Sequence, residues 1–166
     1  MSKIEFAGWD PGKSGAGVLL DESGTLRGEI IRGDATFHDQ VALITKDWDT
    51  SMISMLMIEK VHSMPRDANR GAFTFGTHYG FIQGVVCSLD IPHEFVTPQI
   101  WQREMGCMSK GDKNITKAAA QRLFPGIKIT HRNADALLIA EYCRRKHLGI
   151  SSGLKRTVKV SRKGTK

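Results

Sequence analysis

Residues 4–17, IEFAGWDPGKSGAG, decide how the rest of the chain is read. Ile4, Phe6 and Gly8 alternate with Glu5, Ala7 and Trp9, the two-residue period of a half-buried strand. The strand runs into Asp10-Pro11-Gly12. Pro11 removes a ladder donor and Gly12 frees the backbone to turn. Asp10 is therefore predicted at the rim of a sheet, where a carboxylate can meet solvent, a metal or a phosphate. Alone, such an acid is equally the end of an ordinary turn. Two more acids in matching positions give it weight.

Outward from this stretch, residues 16–20 and 25–31 flank the turn cluster Asp21-Glu22-Ser23-Gly24, the pattern of a hairpin. Phe37, Val41, Ile44 and Trp48 then mark one helical face, with Thr36 and Asp39 spaced as a capping box. Residues 52–59, MISMLMIE, are almost continuously apolar and end in Glu59, which suits a strand buried on both faces. If this strand lies parallel beside the first, Asp10 and Glu59 share one rim. Residues 60–71 read as a polar loop holding Arg66 and Arg70.

A second helical stripe follows in Phe75, Tyr79, Ile82 and Val86, while Gly76, Gly80 and Gly84 recur every fourth residue. Each helical glycine costs roughly 1 kcal/mol relative to alanine. The expected compensation is close backbone packing, against either the chain's own sheet or a second subunit. Residues 93–97 form a short predicted strand, and Pro98 suits the first turn of a helix. Residues 106–113, GCMSKGDK, make a loop with Lys110 and Lys113, and 114–124 a helix that carries Lys117. The last helix, ADALLIAEYCRR at 134–145, has Asp135 in its first turn, a position the helix dipole favours for any acid.

The length of 166 residues suits one domain, taken as residues 1–150 followed by a basic tail at 151–166. The net charge of +7 is concentrated in that tail, where residues 153–166 hold six bases and no acid; the remainder carries 18 basic against 17 acidic residues. A tail of this composition is either a solvated segment or an arm that grips a polyanion. Cys87, Cys107 and Cys143 lack metal or disulfide spacing and read as thiols of a reducing compartment. No stretch has the length and apolarity of a membrane span, and the start of the chain does not read as a signal peptide. The expected location is cytoplasmic.

Strands alternating with crossover helices predict an α/β domain, a mixed central sheet flanked by helices. Asp10, Glu59 and Asp135, brought together from two strand ends and a helix start, would form a hard, oxygen-rich site suited to Mg²⁺ or Mn²⁺. Two such ions about 4 Å apart can activate water and stabilise the leaving oxygen of a phosphodiester.

Several segments resemble one family. WDPGKSGAGVLL, MIEKV, PQIWQREMGCMSKGDKNITKAAAQRLFP and NADALLIAEYCRR are similar to RuvC-type Holliday junction resolvases, above all to the compact versions encoded by bacteriophages. The resemblance covers most of residues 3–146. It implies a ribonuclease H-like fold, a homodimer, and metal-dependent cutting of four-way DNA junctions with two ions per site. It assigns Asp10, Glu59 and Asp135 as metal ligands and Lys110 and Lys113 to the basic loop near phosphate. Lys13, Arg66, Arg70 and Lys117 are the further expected DNA contacts.

Two positions depart from the family pattern. The fourth ligand, an Asp or His three residues before the last acid, is here Arg132, which makes His131 the replacement candidate, with Asn133 behind it. Gln102 stands where the family often has Lys. The competing readings are another ribonuclease H-like nuclease, acting on branched DNA, RNA–DNA hybrid or structured RNA, and a non-catalytic junction-binding protein. The Asp-x-Gly hairpin also resembles the phosphate loop of sugar kinase and actin-like ATPases. Those proteins need a second such loop, which is not found.

Overall fold

The computed structural model describes residues 4–12, 14–31, 35–60 and 69–150, with only the backbone at 30, 31, 69 and 70. Its sheet has the order β3-β2-β1-β4-β5. The strands are β1 (Glu5–Trp9), β2 (Ala16–Asp21), β3 (Leu26–Ile31), β4 (Ile53–Glu59) and β5 (His93–Val96). The three-stranded meander β1–β2–β3 is antiparallel, and β4 and β5 add in parallel to β1. The sheet is thus mixed. The helices are α1 (Phe37–Asp47), α2 (Asn69–Ser88), α3 (Pro98–Glu104), α4 (Lys113–Leu123) and α5 (Ala134–Leu148). The basic tail at 151–166 lies outside the described residues.

Two apolar clusters make the sheet the middle layer of three. On one face Phe6, Val18, Leu20 and Met57 meet Trp101, Ala119, Ala120 and the buried side of α5. On the other, Ala7, Trp9, Leu19, Leu56 and Ile58 meet Ile44 and Trp48 of the α1 segment and Ile82, Val85 and Val86 of α2. This corrects the expectation of a half-buried first strand, since every residue of β1 is buried. The cause is topological: β1 is the central strand, paired on both edges and covered on both faces, so Glu5 is buried too and stands 4.0 Å from Arg27.

The capping box predicted for α1 is complete. The Asp39 amide donates to Thr36 Oγ1 at 3.1 Å and the Thr36 amide to the Asp39 carboxylate at 3.0 Å. Among the described residues, no helix is long and apolar enough to cross a membrane.

Gly8 lets α5 lie directly on β1. A Cβ there would collide with the Ala140 amide nitrogen and stand 2.5 Å from the Ala136 carbonyl oxygen. The three glycines of α2 behave differently. A Cβ at Gly76, Gly80 or Gly84 would meet nothing within 4 Å, so packing on the chain's own sheet is not what these positions serve.

Candidate active site

The site is assembled at the end of the sheet where β1 and β4 finish side by side. Trp9 pairs with Ile58 in the parallel ladder, so the next residues, Asp10 and Glu59, stand on the same rim. The turn after β1 folds back over Asp10. The Gly12 amide donates to Asp10 Oδ1 at 2.9 Å, and the Asp10 amide donates to the Ala16 carbonyl at 2.9 Å. Gly15 makes this possible, because a Cβ there would sit 2.8 Å from the Asp10 carboxyl carbon. Asp10 is consequently only 8% exposed.

Glu59 is fixed from β5 and from α3. Its strand pairs with β5 at Val96, and the Lys60 amide donates to the Val96 carbonyl at 2.7 Å. The Trp101 indole N–H donates to Glu59 Oε1 at 2.9 Å. Asp135 enters from the first turn of α5, whose position on β1 is set at Gly8. All three acids line one open cleft of about 700 Å³, together with Gly12, Ser14, Gly15, Phe75, Gln102, Lys110 and Lys113 among others.

The electrostatics show how closely the acids are set. Burial, foremost, and then the Asp10 charge push the Glu59 carboxyl up to about 8, with a smaller push from Asp135, against lowering by the Trp101 hydrogen bond and by Lys113. Asp135 Oδ1 is a buried oxygen with no hydrogen-bond partner among the described residues. Orphaned buried acceptors are costly unless a cation or donor meets them.

Among the described residues, no group of three or more Asp, Glu, His or Cys side chains stands arranged around a single ion position. The donor set itself fits a hard divalent cation. It is all oxygen, it contains an acceptor that no described residue satisfies, and it holds a proton on Glu59 that a cation would displace.

The remaining expected residues divide. Lys110 and Lys113 line the cleft. Lys110 and Gly111 both have positive φ, 49° and 97°, and the loop is held by Gln102, whose Oε1 accepts from the Ser109 amide at 3.1 Å and its hydroxyl at 3.2 Å. Lys117 lies one turn further along α4, half-buried and outside the lining. His131 is exposed in the turn before α5 and does not line the cleft; Arg132 is exposed as well. Asn133 is committed to structure. Its Oδ1 accepts from the Thr130 amide at 2.8 Å, and its Nδ2 donates to the Lys128 carbonyl and to Glu29 of β3. Lys13, Arg66 and the side chain of Arg70 lie outside the described residues.

Trp101 and the Gln102–Ser109 link were not assigned from sequence. The available signal was their place, in the first turns of a helix launched from the strand that borders Glu59.

No family model matches the chain, and no curated protein matches it either. Solved structures do. Thermus thermophilus RuvC in complex with Holliday junction substrate superimposes with a TM-score of 0.59 at 15% identity, over 89% of this chain and 97% of that one. A second structure of Thermus thermophilus RuvC gives 0.57 and 16%, over 89% and 98%.

The fold is that of RuvC.

The RuvC-like, ribonuclease H-like architecture expected from the sequence is therefore present along nearly the whole domain.

Proposed function

We propose that the protein is a structure-selective endodeoxyribonuclease that cuts four-way DNA junctions by metal-assisted phosphodiester hydrolysis. The observation that carries this reading is the convergence of Asp10, Glu59 and Asp135 in one cleft, with Asp135 Oδ1 buried and unpartnered, within a RuvC-like fold. One of the similar structures is RuvC bound to a Holliday junction substrate, which supports branched DNA as the partner.

Asp10, Glu59 and Asp135 would hold Mg²⁺ or Mn²⁺, two ions in the full site. When bound, such ions activate water and stabilise the leaving oxygen. The chain's own part is to orient and to grip. The Gly12 amide and the Trp101 indole each fix one carboxylate oxygen. Lys110 and Lys113 face the cleft as phosphate contacts, with Lys13, Arg66, Arg70, Lys117 and the tail as the wider DNA grip. His131 remains the fourth-ligand candidate, on condition that its exposed turn brings it inward on DNA.

Two symmetric cuts call for a two-fold homodimer. The ridge of Gly76, Gly80 and Gly84, where an added Cβ would meet none of the described residues within 4 Å, is the surface proposed for close approach. Phe73, 79% exposed on the same helix, lies beside it.

The test is one gel. A four-way junction, a linear duplex and an RNA–DNA hybrid are incubated with Mg²⁺ and with chelator. Paired, Mg²⁺-dependent nicks in the junction alone are expected. Asp10→Asn and Asp135→Asn should each abolish them while junction binding persists. Preferential cutting of the hybrid would replace this reading with that of a different nuclease, and binding without cutting would leave a junction-binding protein.

A further inference from the structure

We infer that Trp101 is the positioning residue of Glu59: its indole N–H fixes which carboxylate oxygen faces the core and which is left for the metal. This inference rests on the metal-site reading above and extends it to a residue outside the ligand set.

Three observations support it. Trp101 is wholly buried, at 0% exposure, in the cluster under the sheet's α5 face, so its ring has no freedom to follow a moving carboxylate. Its N–H is donor only and spends that donor on Glu59 Oε1 at 2.9 Å, a charge-assisted contact when the acid is ionised. Finally, α3 is attached to the same rim. It starts at Pro98, two residues beyond the end of β5, and β5 pairs with Glu59 at Val96. Glu59 is held at its backbone by β5 and at its side chain by the helix that follows β5. A ligating carboxylate whose second oxygen is pinned by a rigid donor keeps its binding oxygen aimed, and partners of this kind contribute typically 10–100-fold to metal affinity.

The alternative is that Trp101 only fills the core. The two roles separate by readout. Trp101→Phe keeps the apolar ring and removes the donor. Mg²⁺ binding by calorimetry should weaken about tenfold or more, while junction binding in chelator, which needs only the fold and the basic contacts, stays at the wild-type level. Excess Mg²⁺ should recover cleavage, because what is lost is affinity.

A second measurement stands if Trp101→Phe does not fold. The wild-type chain has three indole N–H signals, from Trp9, Trp48 and Trp101. In nitrogen-resolved NMR, the Trp101 signal should shift on Mg²⁺ titration and saturate at the calorimetric Kd. Glu59→Gln should shift it without metal. Mg²⁺ affinity within twofold of wild type in Trp101→Phe, or an indole signal indifferent to Mg²⁺ and to Glu59→Gln, overturns the positioning role alone. A wild-type protein that binds no Mg²⁺ overturns the metal site and this role together.

Discussion

Glu59→Gln should make the metal-free protein more stable, by an amount that grows with pH. The Glu59 carboxyl is raised from 4.5 to about 8, first by burial and then by Asp10 and Asp135. An acid raised in this way contributes its full stability below its unfolded value and loses it as pH climbs toward the folded one, because the unfolded chain releases the proton first. At pH 5 the wild type and the variant should melt nearly together. At pH 7 the wild type bears the cost of holding a proton that the unfolded chain has given up, about 3 kcal/mol at 1.36 kcal/mol per pH unit. Glutamine carries no charge and still offers Oε1 to the Trp101 indole, so the variant escapes that cost without losing the bond. For a chain of this size the difference in Tm should approach roughly 10 °C. The assay is calorimetric melting of both proteins in chelator from pH 5 to 8, reading only the difference between them so that other titrations cancel. Mg²⁺ should then restore the wild type and leave the variant unmoved. Parallel curves across that range would refute the account of a buried, mutually repelling acid cluster.

Gln102→Ala removes both bonds that hold Ser109, worth about 1 kcal/mol each; KM for the junction should rise several-fold with Mg²⁺ affinity unchanged, and an unaltered KM would deny the loop a part in DNA grip. Gly80→Leu adds a Cβ that meets none of the described residues within 4 Å and gains helix propensity of about 1 kcal/mol or less. Its Tm should hold while sedimentation shows dissociation to monomers and paired cutting gives way to single nicks; a variant of lowered Tm and unchanged mass would contradict the proposed surface. Gly8→Ala drives a methyl into the α5 backbone, an overpacking that costs about 3 kcal/mol; a Tm within a degree or two of wild type would show that the helix is free to lift.

Much of this was legible because it is local. Asp10 and Glu59 each end an apolar strand, Asp135 opens a helix, and Thr36 with Asp39 forms the cap that their spacing announces. What was hidden depends on parts of the chain brought in from elsewhere. Glu5 looked like the exposed member of an alternating strand, yet α1, α2 and α5 cover both faces of β1. Trp101 reaches Glu59 across 42 residues, a distance over which no periodicity speaks. The glycine spacing of α2 signalled close packing without naming the partner, and only the lack of contact with the described residues of the sheet at those positions removes the sheet as the answer. His131 was chosen by its neighbourhood in sequence, but the turn before α5 leaves it exposed while the adjacent Asn133 is drawn inward by Thr130, Lys128 and Glu29.

The seam between β1 and α5 has a mechanical consequence. Gly8 lies against the backbone at Ala136 and Ala140, so at this point of the seam no side-chain knob engages a socket. Such a contact strongly resists being pulled apart but offers little friction to sliding lengthwise. A slip of one residue along a helix axis is about 1.5 Å, enough to carry Asp135 out of register with Asp10 and Glu59. The axial stop is then shared between the apolar side chains of α5 packed on the sheet and a polar tether toward each helix end. At the front it is Asn133, tethered to Glu29 of β3; at the rear it is Arg144, which binds Glu141 and the Glu22 carbonyl in the hairpin turn. Both anchors grip the β2–β3 hairpin, which carries none of the three acids, and Lys146 ties the rear of the helix to Glu94 of β5 as well, so the gauge of the active site is set by side chains outside the acid triad.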